Sequence, residues 1–173
     1  MSGVLDQLWN GWRAAYVTTG GAAGGVNRHD TTSIFSQILA SGMPDDEAMI
    51  VHRGVTCFAI LNRFPYATGH TLVLPLREVA ELEDLTDQET SELWACVTDG
   101  VRALKAAYRP DALNVGINLG EAAGGSVARH LHVHIVPRWS GDSNFMTATA
   151  YTRTMPEALP DTWDKVRAAW PQP

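Results

Sequence analysis

Three histidines occupy alternate positions in a stretch of five residues, at His130, His132 and His134. Alternation with a period of two is typical of a β-strand, in which every second side chain lies on the same face, on the order of 6–7 Å from the next. The three imidazoles are therefore predicted to share one face. The apolar side chains between and after them, Leu131, Val133 and Ile135, are predicted to enter the core. A row of imidazoles fits nucleophilic, acid–base or metal chemistry better than it fits packing.

The size of the chain favours a single domain. With 173 residues, of which 45% are hydrophobic and 18% charged, it is large enough to bury a core. We expect one domain over residues 1–173, with an amphipathic N-terminal helix at about 5–17. A flexible glycine-rich linker follows at about 18–28, and a C-terminal tail covers about 146–173.

Charge and cysteine content exclude several classes of protein. A formal net charge of −6 argues against a nucleic-acid-binding protein, which would present a basic face. The two cysteines, Cys57 and Cys96, lie far apart and neither belongs to a C-x-x-C pair, so a disulfide framework is not expected. We also expect no signal peptide and no membrane-spanning segment, and hence a cytoplasmic protein.

The order of the elements predicts the fold class. Apolar periodicity and turn residues predict helices at about 34–41, 86–108 and 162–170, the second opened by a capping box at Thr86–Glu89. Strands are predicted within 51–62, which turns at Arg53-Gly54, and at 70–74, 113–119 and 130–136. Consecutive hairpin-like strands with flanking helices indicate an α+β fold built on an antiparallel sheet.

Three segments carry a resemblance to a known family. Residues 130–136 read His-Leu-His-Val-His-Ile-Val and resemble the H-x-H-x-H signature of the histidine triad (HIT) family. Residues 57–70 resemble its strand–loop–strand ending in Gly-His, and residues 118–126 resemble its glycine-rich phosphate loop. The resemblance covers roughly residues 33–145. It extends over nearly the whole chain for the actinobacterial-type diadenosine tetraphosphate phosphorylases of that family.

The resemblance implies a catalytic role for four histidines. His132, the middle one, would attack an α-phosphorus and form a nucleotidyl-histidine intermediate, because a neutral imidazole is a usable nucleophile. His130 and His134 would contact phosphate oxygens or hold the ring and tautomer of His132. His70 resembles a fourth family histidine near the same site.

The resemblance also implies contacts to the nucleoside. Asn62 matches the ribose-binding residue of the family, and Phe58 and Ile60 are expected beside the base. Trp139 is expected to stack on the nucleotide or pack against it.

The phosphate groups are expected to meet the glycine-rich loop. Asn118 resembles a contact to phosphate or to the intermediate, and Ser126 and the amides around Gly125 would receive phosphate charge. Many relatives carry C-x-x-C where this chain has Ser33 and Ser36, so the structural zinc of those relatives is not expected.

The function implied is cleavage of dinucleoside polyphosphates such as diadenosine tetraphosphate by phosphorolysis, with inorganic phosphate as co-substrate. The partners implied are the substrate and AMP, ADP or ATP. No cofactor is implied, although a divalent metal ion can accompany the nucleotide. Relatives pair as dimers or larger assemblies, so a homodimer or homotetramer is expected.

Three alternatives stay open. In the first, the chain is a hydrolase that cleaves a nucleoside phosphoramidate or diadenosine triphosphate, with water as the acceptor. The chain would otherwise be a nucleotide-binding sensor with negligible turnover. Finally, two histidines at i and i+2 with a third ligand would bind zinc.

Overall fold

The computed structural model describes residues 32–124, 127–142 and 156–172. The predicted N-terminal helix and glycine-rich linker lie outside the described residues, as does part of the predicted C-terminal tail. Within the described residues, no helix has the length and apolar character that crossing a membrane requires.

Within residues 32–124 and 127–142, five strands form a sheet at the centre of the fold: β1 (Ile50–Arg53), β2 (Cys57–Leu61), β3 (Thr71–Pro75), β4 (Ala112–Ile117) and β5 (Val133–Arg138). They lie in the order β1-β2-β3-β5-β4, and every neighbouring pair is antiparallel. This confirms the predicted α+β class. The β3–β5 pairing sets Leu72 opposite His134 and thereby fixes the position of the histidine segment.

In the part of the chain that the structure describes, four α-helices accompany the sheet: α1 (Ile34–Ala40), α2 (Asp45–Ala48), α3 (Asp87–Tyr108) and α4 (Leu159–Ala169). Short 3-10 turns lie at Leu82–Asp84 and Glu121–Ala123. The capping box predicted for α3 is present, because the Thr86 hydroxyl accepts from the Glu89 amide and the Glu89 carboxylate accepts from the Thr86 amide. Helix α3 ends at Tyr108, and its C-cap residue Arg109 adopts a left-handed conformation immediately before Pro110.

Each face of the sheet carries its own hydrophobic cluster. One lies between the sheet and helices α3 and α4, and it contains Leu131, Val133 and Ile135, as predicted from the alternation. The other packs beneath α1 and contains Phe35, Ile50, Phe58, Ile60, Leu72 and Leu74. The histidines therefore belong to the face that carries α1.

The predicted boundaries of the histidine strand are wrong. Strand β5 begins at Val133, so His130 and His132 precede it. The physical reason is that the backbone amides just before β5 donate hydrogen bonds to loop carbonyls and not to a neighbouring strand. The His130 amide donates to the Val127 carbonyl, and the Leu131 amide donates to the Val79 carbonyl at 2.6 Å. The side-chain alternation nevertheless persists through this extended segment.

Candidate active site

The four predicted histidines converge on one face of the sheet. The Nε2 atom of His70 lies 2.9 Å from Nδ1 of His134, and the ring centroids of His132 and His134 are 4.9 Å apart. Phe35 of α1 contacts the rings of both His130 and His132, with centroid separations of 5.7 and 5.8 Å. Pairing of β3 with β5 thus brings His70, just before β3, close to histidines that lie 60 or more residues later in the sequence.

A backbone hydrogen bond orients the ring of His132. Its Nδ1 atom lies 2.8 Å from the carbonyl oxygen of His130. A carbonyl only accepts, so Nδ1 carries the proton and the lone pair of the neutral ring is on Nε2. His132 therefore has the tautomer that a nucleophile with a free Nε2 requires.

A chain of hydrogen bonds fixes the proton on His134. The Tyr66 amide donates to Nδ1 of His70 at 3.0 Å, which leaves the proton of neutral His70 on Nε2. That Nε2–H donates to Nδ1 of His134. His134 consequently carries its own proton on Nε2. The Tyr66 ring also lies nearly parallel to that of His134, with centroids 5.9 Å apart.

His130 is fully buried, and both of its ring nitrogens have protein partners. Nε2 donates to the Pro75 carbonyl at 2.9 Å, and Nδ1 accepts from the Ser33 hydroxyl at 2.7 Å. The backbone carbonyl of His130 also meets Nδ1 of His132, and both roles that the sequence left open for the His130 side chain stay predictions.

Burial keeps the imidazoles neutral. Desolvation lowers the pKa of His134 to about 4, with a further contribution from His132. Burial also lowers the pKa of His132, against the hydrogen bond to the His130 carbonyl, which raises it. For His130, burial lowers the pKa although the Pro75 carbonyl and Glu78 oppose the shift. At neutral pH these three rings are therefore uncharged, as nucleophilic attack by His132 requires.

Two predicted asparagines lie at the histidine cluster. Asn62 is 3.3 Å from Nδ1 of His70 through its Nδ2 atom, and its Oδ1 atom accepts from the Phe64 amide. The Nδ2 atom of Asn118 lies 3.5 Å from Nε2 of His134, and because both nitrogens carry protons this is a contact and not a hydrogen bond. Both side chains are half-buried, so each retains a surface that faces solvent.

The other predicted binding residues divide into three groups. Phe58 and Ile60 are buried in the cluster beneath α1, next to the site, with 0% and 3% of their surfaces exposed. Trp139 directly follows the C-terminal end of β5, where its ring meets that of Tyr108 edge-on. Gly125 and Ser126 lie outside the described residues. The nucleotide contacts of all five remain predictions.

The side chains of Ser33 and Ser36 are not suitable ligands for a structural zinc ion. The Ser33 hydroxyl donates to His130, and the Ser36 hydroxyl donates to the Glu78 carboxylate. Structural zinc sites are built from cysteine thiolates and histidine nitrogens with a free lone pair. Here two neutral hydroxyls stand near a single imidazole, and hydrogen bonds already link that imidazole, the hydroxyls and the carboxylate.

Sequence reasoning missed Tyr66 and Glu78 as neighbours of the histidines. Tyr66 follows Asn62 within the same loop, so the loop's position between two candidate residues was an available signal. Glu78 gave no local signal, because its link to His130 runs through serines 42 and 45 residues away.

Comparison with known protein families identifies similar sequences. The family model described as HIT domain matches residues 44–141. The AP-4-A phosphorylase of Mycobacterium tuberculosis is 42% identical over 169 residues, which cover 96% of this chain and 85% of that protein. The asymmetrical bis(5'-nucleosyl)-tetraphosphatase of Schizosaccharomyces pombe is 36% identical over 95 residues, covering 55% of this chain and 52% of its own length.

Solved structures share the fold. A Hit-like protein from Bartonella henselae superposes with a TM-score of 0.64 at 28% identity, covering 81% of this chain and 98% of its own. A zinc-bound histidine triad family protein from Mycobacterium smegmatis also superposes with a TM-score of 0.64 at 28% identity, covering 80% of this chain and 92% of its own.

Proposed function

Because the chain belongs to the HIT domain family, we propose that it is an enzyme that cleaves dinucleoside polyphosphates by phosphorolysis, with diadenosine tetraphosphate as substrate. The observation that carries this proposal is the tautomer of His132, whose Nδ1–H bonds the His130 carbonyl and whose Nε2 lone pair is free of that bond. The 42% identity to an AP-4-A phosphorylase supports the choice of substrate.

The first step forms the covalent intermediate. The Nε2 lone pair of His132 attacks the α-phosphorus, a nitrogen–phosphorus bond forms, and the bond from that phosphorus to the bridging oxygen breaks. ATP leaves with the electron pair of the broken bond, and AMP stays attached to His132. Such covalent catalysis divides one difficult displacement into two easier ones.

His134 assists the leaving group. Its Nε2–H, fixed by the hydrogen bond from His70, donates toward the oxygen on which negative charge develops. Bound polyphosphate would raise the low pKa of His134, since nearby negative charge favours the imidazolium form. Asn118, beside the same nitrogen, is proposed to contact the phosphates.

The second step regenerates His132. An oxygen of inorganic phosphate attacks the same phosphorus, the nitrogen–phosphorus bond breaks, and its electron pair returns to Nε2. The products are ADP from the acceptor and ATP from the first step. In this proposal phosphate is a co-substrate, and neither step uses a protein-bound metal or cofactor.

A hydrolytic reaction is the second candidate. Its support is the 36% identity to a protein named as a tetraphosphatase, although that match covers about half of this chain. Water in place of phosphate in the second step would give AMP and ATP.

We also propose that the chain forms a homodimer or a larger homo-oligomer. Strand β4 lies at the edge of the sheet and exposes Val115, and the loop after it exposes Leu119. Among the described strands β4 pairs only with β5, and a sheet edge with exposed apolar side chains is suited to pairing with a second copy.

The test of the function is product analysis. The purified protein is incubated with diadenosine tetraphosphate, with and without inorganic phosphate, and the nucleotides are separated by ion-exchange chromatography. ADP and ATP that appear only with phosphate would support phosphorolysis. AMP and ATP in both samples would identify a hydrolase, and no turnover in either would reject cleavage of this substrate.

A further inference from the structure

A hydrogen-bonded group of side chains adjoins the ring of His130. It consists of Ser33, Ser36 and Glu78, and we call it the serine–glutamate cluster. Ser33, only 2% exposed, is the N-cap of α1, and Glu78 follows β3. The cluster meets the site at the fully buried ring of His130.

The donor and acceptor capacities of the groups assign each proton in the cluster. The Glu78 Oε2 atom accepts from the Ser33 amide at 2.9 Å and from the Ser36 hydroxyl at 2.7 Å. Burial raises the pKa of Glu78, but these hydrogen bonds and His130 outweigh it and lower the pKa overall, so Glu78 is ionised at neutral pH. The Ser33 hydroxyl accepts from the Ser36 amide at 3.1 Å and has one proton to give, which goes to Nδ1 of His130.

The segment that carries Glu78 also makes hydrogen bonds to His130 and Leu131, just before β5. The Pro75 carbonyl accepts from Nε2 of His130 at 2.9 Å, and the Val79 carbonyl accepts from the Leu131 amide at 2.6 Å. The His130 carbonyl, which accepts from Nδ1 of His132, lies between these two anchored groups. Movement of the His130 ring or of its peptide therefore changes the hydrogen bond that sets the tautomer of His132.

We propose that Ser33 and Glu78 are positioning residues that act through His130 to keep His132 in the tautomer with a free Nε2. The inference rests on the proposed function, in which His132 is the nucleophile. Without the Ser33 hydroxyl, Nδ1 of His130 is a buried acceptor without that partner, which is a costly arrangement. The ring then rotates or exchanges tautomers, and a fraction of His132 carries its proton on Nε2, where it blocks attack.

The kinetic test compares variants on the same helix. Ser33→Ala removes the donor to His130, whereas Ser33→Thr retains a hydroxyl. Ser41→Ala is the matched control, because the Ser41 hydroxyl donates to the Ile38 carbonyl at the opposite end of α1. We expect Ser33→Ala to lower kcat by about 10- to 100-fold with KM unchanged, as misplacement of a reacting group does. Ser33→Thr should restore most of the rate, and Ser41→Ala should leave it unchanged.

A second comparison addresses Glu78. Glu78→Gln retains an oxygen that accepts from the Ser33 amide but loses the charge, whereas Glu78→Ala removes the acceptor. We expect Glu78→Ala to lower kcat like Ser33→Ala and Glu78→Gln to have a smaller effect. Equal rates for Glu78→Ala and the wild type would remove Glu78 from the proposal.

The tautomers are measured directly in the protein without nucleotide, by long-range 1H–15N NMR of the imidazoles. The wild type should show His132 protonated on Nδ1 and His130 on Nε2, and Ser33→Ala should show a mixture at His132. His132 unchanged in Ser33→Ala would overturn the inference even if the rate falls. Because no substrate is present, this result is independent of whether the proposed reaction is correct.

Loss of the helix cap is a separate effect of Ser33→Ala. Glycine is nearly as good as serine at an N-cap, so Ser33→Gly removes the same hydroxyl with less loss of helix stability. The inference requires Ser33→Gly to change the His132 tautomer as Ser33→Ala does. If the His132 tautomer changed only in those variants that lose thermal stability, whether or not they keep the hydroxyl, the inference would be contradicted.

Discussion

His70 donates from Nε2 to Nδ1 of His134 across 2.9 Å, and this contact joins two histidines that lie 64 residues apart in the sequence. The contact links the tautomers of the two rings. The Tyr66 amide donates to Nδ1 of His70 and leaves the His70 proton on Nε2, and His70 in turn leaves the His134 proton on Nε2. The side chain proposed to assist the leaving group is thus oriented by a backbone amide two hydrogen bonds away.

Replacing His70 should slow the chemistry without preventing substrate binding. In His70→Ala, His134 loses the donor to its Nδ1 and can carry its proton on either nitrogen. We expect kcat with diadenosine tetraphosphate to fall by about 100-fold, within the range of contributions from positioned acid–base groups. Steady-state kinetics measure this, with His52→Ala as the control, since His52 stacks on Trp170 outside the site. An equal loss in both variants would refute a specific role for His70.

Stability should fall as the pH drops below neutral. The pKa values of His130, His132 and His134 are lower in the folded protein than the ordinary value of about 6.5, and that of His134 is about 4. The unfolded chain therefore binds more protons, so their contribution is complete above pH 6.5 and is lost as the pH falls toward 4. Urea unfolding at pH 7.5, 6 and 5 measures the slope.

The matched variant for this prediction is His134→Gln, which lacks the imidazole whose pKa burial lowers to about 4. Its stability should depend less steeply on pH between 6.5 and 5. The interval avoids most of the titration of the carboxylates. Parallel slopes for wild type and variant would show that His134 is not buried in its neutral form.

Gly100 allows close packing between α3 and β5. A Cβ atom at this position would lie 2.7 Å from Cδ1 of Ile135 and 3.2 Å from the ring of Trp170. Gly100→Ala should therefore destabilise the protein by about 1–3 kcal/mol, despite a helix propensity gain of at most about 1 kcal/mol. At Gly116 nothing lies within 4 Å of such an atom. Gly116→Ala should be neutral or stabilising, and similar unfolding midpoints for both variants would contradict this packing.

The capping box of α3 should contribute measurably to stability. Thr86→Ala removes the hydroxyl that accepts from the Glu89 amide, and loss of an N-cap costs about 1 kcal/mol. Thr98→Ala is the control, because the Thr98 hydroxyl only donates to the Trp94 carbonyl within the same helix. Denaturant unfolding should show a lower free energy of unfolding for Thr86→Ala than for Thr98→Ala. Wild-type stability in Thr86→Ala would show that another group caps the helix.

Local signals made much of the fold predictable. The alternation of residues 130–136 identified both the histidine face and the core face, although the strand itself starts only at Val133. The capping box marked the start of α3 correctly, because capping depends on residues three apart in the sequence.

Contacts between distant residues outside the family motifs were not predictable. The start of β5 depends on the Val79 carbonyl, which accepts from the Leu131 amide 52 residues later. The partner of His130 is Ser33, which lies 97 residues away and was noticed only as a replacement for cysteine. No periodicity or short motif encodes such pairs, so they emerge only when the sheet and α1 have packed.

The most direct test of the central claim is the mass of the intact protein during turnover. Wild type and His132→Ala are mixed with diadenosine tetraphosphate without added phosphate and quenched at alkaline pH, because the nitrogen–phosphorus bond is labile in acid. We expect one added adenylyl group on the wild type, located on His132 by peptide fragmentation. It should be lost when phosphate is added and be absent from a folded His132→Ala. An adduct on another residue, or turnover by His132→Ala at the wild-type rate, would contradict His132 as the nucleophile.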